Sequence, residues 1–364
     1  MKATQRLYEL GQSLWIDNIT RDQLNSGRLK HAIDEWSVTG LVSNPVAFEH
    51  AIKNSTVYDV AIRKKLKQDL AGEDLLFELA MEDLRHAADL LRPIYDQTDG
   101  MDGWVSLDIS PLLAHDTTNI LNAATDLYMR VRRPNLLIAI PGIKDNLPVI
   151  EEAILAGVPL NMTLLFSREH YLAAAEAFLR GIERRISAGL SPKVASVVSM
   201  FVNRWDAAVM DKVPNALSNQ LGIAIAKRIY KACREFLNSP RWQRAYNAGA
   251  RPQRLLWVGT ETKDPKISDV FYVKALAAPL TVNTMSEDTL KMFADHNDLG
   301  ELMPTDGGDC ETVLSRFVQA GIDIDALAGQ LQDEGVASFA KSWIELMMVV
   351  ASKSAALTQE REAV

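Results

Sequence analysis

The chain has 364 residues, 48% of them hydrophobic, with 39 Lys+Arg against 47 Asp+Glu and a formal net charge of −8. That is long for one compact domain but ordinary for an α/β barrel with additions, and it supplies ample material for a large core. The acidic balance, without any dense Lys/Arg run, speaks against nucleic acid or an anionic membrane as main partner.

The N-terminal stretch MKATQRLYELGQSLWIDNIT is polar and amphipathic with no apolar signal core. No later run reads as reaching membrane-spanning length, so a soluble cytoplasmic protein is expected. Eight short apolar, β-branched runs then follow in order: 13–17, 39–43, 103–110, 135–141, 159–166, 194–202, 254–259 and 280–284. Between most of them lie amphipathic stretches such as LPVIEEAILAG and SREHYLAAAEAFLRGIERRISAG. That alternation predicts βαβ units and a parallel sheet, and eight strands suggest closure into a (β/α)8 TIM barrel. Residues 45–102 read as a helical, charged insertion and 310–357 as C-terminal helices, together with an N-terminal helix before the first strand. With no internal repeat, low-complexity tract or Gly/Ser/Pro linker, residues 1–364 read as a single domain. The two cysteines, Cys233 and Cys310, lie in unrelated contexts and suit a reducing compartment.

Side chains two apart on a strand share a face. Ser106, Asp108 and Ser110 therefore align, as do Asn161, Thr163 and Leu165, while Ser199 shares its face with Val197 and Phe201. Asp17 ends the first run and Asn44 follows the second. Small polar residues near the C-terminal ends of barrel strands are where such folds place catalysis, although each alone could be a satisfied core group or a helix cap. In RPNLLIAIPGIKDN the small Ala139 sits among large aliphatic residues and shares its face with Leu137, so it should point into the same lumen. Arg204 follows the sixth run and Lys263 the seventh; two cations at adjacent strand ends would suit a phosphate. GTETKD is not a P-loop. The six histidines show no metal-ligand spacing and no Asp/Glu cluster has one, so neither metal nor cofactor is expected. His115 reads as a surface or helix-start residue.

These motifs in combination resemble the transaldolases, in the longer bacterial form with extra helices. TGLVSNPVAF resembles the family's TG-x-TSNP-x-x-F, SPLLAHDT its SP-x-LAHDT, NMTLLFS its N-V-TLLFS, and FYVKALAAPLTVNTM its YV-x-x-L-x-x-P-x-TVNTM. The resemblance covers residues 5–355. It implies a (β/α)8 barrel that moves a dihydroxyacetone unit between sugar phosphates through a Schiff base on a lysine of the fourth strand. Carried over by position, it implies Asp17 and Asp108 as proton-handling groups, Asn44 and Asn161 as binders of sugar hydroxyls, and Thr163 as holder of a catalytic water. Ser199, beside Phe201, would line the pocket, and Arg204 with Lys263 would hold the phosphate of a small polar substrate; an oligomer is compatible with the family.

The family's lysine, within a segment reading roughly RPNL-x-IKIP, falls at Ala139. Three further departures cluster nearby. Position 108 is Asp where the family has Glu, Glu261 stands where a glycine is expected near the phosphate, and PGIKDN replaces PATKEG. Lys144 is retained, but the family already has a lysine there. Alanine supplies neither imine nor electron sink. Three readings follow: a transaldolase with one lysine exchanged and its activity impaired; a relative repurposed to imine-free isomerisation, cyclisation or aldol-type chemistry in specialised metabolism; and a binding protein that kept the fold. Glu261 is the discriminating feature, since a carboxylate beside Arg204 and Lys263 would pair with them.

Overall fold

The computed structural model describes residues 2–262, 267–296 and 298–362. Eight parallel strands close into a barrel in chain order. They are β1 (Gln12–Asp17), β2 (Val38–Val42), β3 (Trp104–Asp108), β4 (Leu136–Pro141), β5 (Leu160–Leu165), β6 (Ser196–Phe201), β7 (Arg254–Val258) and β8 (Thr281–Met285). The TIM barrel read from the alternation of runs is thus the fold, with extra helices before, within and after the repeat.

The strands are buried on both faces, which is why they read as near-continuous apolar runs. Leu136, Ile138 and Ile140 of β4 face outward into the main core beneath the helices. Leu137 faces inward and joins Trp15, Trp104, Val197, Leu256 and Val282 in a separate cluster that fills the lumen. Gly40 on β2 is part of that arrangement, because a Cβ there would stand 2.5 Å from the Trp15 indole. Below this plug, Asp102 accepts hydrogen bonds from Ser13 and, at 3.1 Å, from the Trp15 indole, and lies 3.8 Å from the Arg254 guanidinium.

Local signals start and stop the flanking helices. Asn44 caps the helix Pro45–Asn54, Ser167 caps Arg168–Ser187 and Ser286 caps Glu287–Asp295, while Gly157 ends Leu147–Ala156 in the left-handed region. The insertion after β2 contributes three helices, Pro45–Asn54, Asp59–Leu66 and Gly72–Gln97.

The last helix, Ile324–Glu362, corrects one expectation: its segment Ile324–Gln359 is long and apolar enough to cross a membrane by length and composition alone. The sequence hid this because Ala, Val and Met alternate there with Asp333, Glu334, Lys341, Glu345 and Lys353, so no unbroken apolar run forms. Here the helix packs on protein. Leu327, Ala328 and Leu331 join the main core, and Trp343, Leu346 and Val350 close a second one against Phe48, Tyr58 and Leu75. Gln332 donates to the Leu164 carbonyl at 2.8 Å and the Trp343 indole to Glu73 at 2.6 Å, so the helix crosses the C-terminal end of the barrel.

Candidate active site

Parallel pairing sets the level of the site. Asp108 lies opposite Ala139, and Ala139 opposite Asn161, on three successive strands. Ala139 is one step above Leu137 on the lumen face and is 2% exposed. Its methyl, with Asp108, Thr163, Leu164 and, from the last helix, Val336 and Phe339, lines a narrow cleft with room for about one water. No lysine is among the residues lining it. Lys144, in the turn after β4, is exposed.

The two carboxylates are held differently. Asp17 closes β1 and accepts a hydrogen bond from the Asn44 amide at 3.2 Å. Asn44 in turn uses its carbonyl to cap its helix, accepting from the backbone N–H of Val46 at 3.0 Å and of Ala47 at 3.4 Å. The cap fixes the amide, so one residue is both helix start and partner of the acid. Asp108 accepts from the Ser43 hydroxyl at 2.9 Å, and its own backbone N–H donates to that oxygen at 3.1 Å. Enclosure by the barrel pushes the Asp108 carboxyl up to about 7; Ser43 opposes the rise and the Asp17 charge adds to it. Burial likewise raises Asp17, opposed by the Asn44 amide. Among the described residues, neither carboxylate has a cationic side chain within ion-pair distance.

Asn161 is clamped from both sides, donating to Ser106 at 3.1 Å and accepting from Ser199 at 2.7 Å. Thr163, 8% exposed, lines the cleft. Phe201 stacks on Phe166 with ring centroids 5.4 Å apart, and the Arg204 guanidinium lies over Phe201 at 5.4 Å. Burial lowers the Arg204 pKa, while Glu334 of the last helix opposes that shift. The expected pairing of Glu261 with Arg204 is not formed; Glu261 instead accepts a hydrogen bond at its backbone carbonyl from Asn203 at 3.3 Å. Lys263 lies outside the described residues.

Two alternations fail at the mouth. Ser110 lies beyond β3 and donates to Glu73 at 2.5 Å, outside the cleft. On β5 the register slips between Met162 and Leu165, Leu164 adopts φ +61°, and Leu164 lines the cleft in place of Leu165. Ser43, Glu334, Val336 and Phe339 were not singled out from sequence. Ser43 stood inside the quoted TGLVSNP segment, whereas nothing local marks the three helix residues.

A closed eight-stranded barrel whose acids, amides and hydroxyls gather at the C-terminal ends of the strands is the architecture of a (β/α)8 enzyme. A family model described as transaldolase/fructose-6-phosphate aldolase matches residues 14–350. The transaldolase of Thermobifida fusca is 39% identical over 363 residues, spanning 97% of this chain and 99% of that one. Transaldolase 2 of Nostoc punctiforme is 36% identical over 368 residues, spanning 95% and 96% respectively. The transaldolase of Mycolicibacterium smegmatis is 37% identical over 346 residues, 93% of either chain. The chain belongs to the transaldolase/fructose-6-phosphate aldolase family. Transaldolases are transferases, and the family's substrates are sugar phosphates.

Proposed function

We propose that this protein binds a phosphorylated, polyhydroxylated ligand in the barrel mouth and acts on it by acid/base chemistry without a protein-bound imine. The observation that carries this reading is the inward methyl of Ala139, at the level of Asp108 and Asn161 in a cleft lined by no lysine. Loss of a covalent nucleophile removes on the order of 10⁴ or more in rate, so the lysine-dependent transfer is impaired as the chain stands. The polar groups at the mouth, with Asp108 in place of the family's glutamate, are oriented by hydrogen bonds. Each Asn amide has two N–H donors, and one on Asn44 and one on Asn161 remain for ligand hydroxyls.

With its carboxyl near 7, Asp108 in its neutral form donates a hydrogen bond to a carbonyl oxygen and stabilises developing negative charge there. Asp17, steadied by Asn44, receives the proton, from a hydroxyl for aldol cleavage or from the carbon beside the carbonyl for isomerisation. Thr163 positions a water, Ser199 and Phe201 shape the pocket, and Arg204 with Lys263 holds the phosphate. Glu261 is not paired with Arg204, so that guanidinium is available to a phosphate.

The test is borohydride trapping with fructose 6-phosphate and erythrose 4-phosphate, read by intact mass. The expected result is no adduct on this protein and an adduct, with restored turnover, on Ala139→Lys. An adduct on the unaltered chain would mean that another lysine reaches the carbonyl, and the imine-free reading would fail.

A further inference from the structure

The cleft over Ala139 presents an electrostatic imbalance. Asp108 and the nearby Asp17 are enclosed in the same barrel mouth, and no cationic side chain among the described residues pairs with either. Thr163 adds a hydroxyl in a side chain that is 8% exposed, faces the same cleft and makes no side-chain hydrogen bond among the described residues. The rest of the lining is apolar: Ile109, Pro141, Leu164, Val336 and Phe339. Carboxylates drawn partly out of water, as these two half-buried groups are, ordinarily have a cation or several hydrogen-bond donors to offset the lost solvation. Here the donors are few, and the position that would carry an ammonium ends at a β-carbon.

Building on the imine-free function above, we infer that the ligand brings the missing cation itself: the substrate class is an amine-bearing sugar phosphate whose primary ammonium seats over the Ala139 methyl, donating to the Asp108 carboxylate and the Thr163 hydroxyl. The space over the methyl is small, about that of a single water, so it admits an ammonium head while the rest of the ligand lies outside it at the barrel mouth. The apolar wall strengthens the pair by keeping water and its screening out. An ammonium against Asp108 favours that carboxyl's charged form, so with an amine-bearing ligand Asp108 anchors the amine and does not act as the neutral donor to a carbonyl described above. The phosphate of the same ligand reaches Arg204, which has no ion-pair partner among the described residues.

A matched pair of probes tests this: glucosamine 6-phosphate and glucose 6-phosphate, which differ in one amine against one hydroxyl, titrated calorimetrically at neutral pH. The expected result is at least tenfold tighter binding of the amine. Asp108→Asn removes that preference, Ala139→Lys removes it by placing an ammonium in the same space, and Arg204→Ala weakens both probes alike. Equal affinity of the two probes for the unaltered protein would overturn the amine assignment and leave the sugar-phosphate reading intact. Binding of neither probe would overturn both. A preference that survived in Asp108→Asn and in Ala139→Lys would place the amine elsewhere and equally defeat the assignment.

Discussion

The barrel encloses acidic groups at each end, and the two ends treat them in opposite ways. At the base, Asp102 has the Arg254 guanidinium 3.8 Å away, the Ser13 hydroxyl, the Trp15 indole and the Gly103 N–H at 3.1 Å. At the mouth, Asp108 has one hydroxyl, from Ser43, and a neighbouring acid. The first arrangement is complete and locks strands β1 and β7 to the loop before β3. The second is incomplete, and an incompletely satisfied group facing a cleft is free to hold and move a proton for a ligand. On the proposed function, stability and catalysis are thus separated along one lumen, with the Trp15 and Leu137 layer between them.

Breaking the base should have the largest effect. Arg254→Met leaves Asp102 enclosed without its cation, and the expected loss is about 3–5 kcal/mol in urea unfolding, with ligand binding at the mouth unchanged once the protein is folded. An unchanged unfolding midpoint would show that the two ends do not differ in this way.

Changing the mouth should do the reverse, with a sign that depends on pH. The Asp108 carboxyl stands at about 7 in the fold against 3.8 as its ordinary value, so the folded state holds a proton that the unfolded state has released between those values. Stability therefore falls as pH rises through that window, and the full cost is present above about 7. Asp108→Asn removes the cost. It should be more stable than the parent at pH 8, by on the order of 2–4 kcal/mol from a shift of that size, with the advantage gone near pH 4. Thermal melts of both proteins at pH 4, 6 and 8 check this, and a variant less stable than its parent at pH 8 would contradict it.

Two smaller perturbations sharpen the contrast. Gly40→Ala drives a methyl toward the Trp15 indole, now 2.5 Å from where that carbon would stand, and should cost about 1–3 kcal/mol through the layer between the ends. Gln332→Ala loses the hydrogen bond to the Leu164 carbonyl, at about 0.5–1.5 kcal/mol, and should loosen the last helix over the cleft. Hydrogen exchange rising across residues 332–343, with the barrel strands unchanged, is the signature of that local loosening.

Much of the fold was legible because its signals are local. Each β-run is apolar through burial on both faces, and each amphipathic stretch shows its period within one helix, so the barrel followed from counting. The polar residues at strand ends were legible for the same reason: Asp108, Asn161 and Ser199 keep the strand alternation up to the mouth. Alternation stops being a guide where the strands end. Leu164 turns into the left-handed region and exchanges places with Leu165, and Ser110 leaves for Glu73, because the chain there answers to the loops and the last helix and no longer to the pleat. Asn44 shows that the functional and the structural reading of a residue need not compete, since its carbonyl caps a helix while its amide holds an acid.

The sequence by itself determined the barrel, the family to which the chain belongs, and the alanine at position 139. These rest on short-range pattern and on residue identity, which need no coordinates. Only the tertiary structure decided that Ser43 holds Asp108, that Glu334 and not Glu261 is the acidic neighbour of Arg204, and that Val336 and Phe339 roof the cleft. Those contacts join residues far apart in the chain, and a long-range contact leaves no period or spacing in the segments that make it.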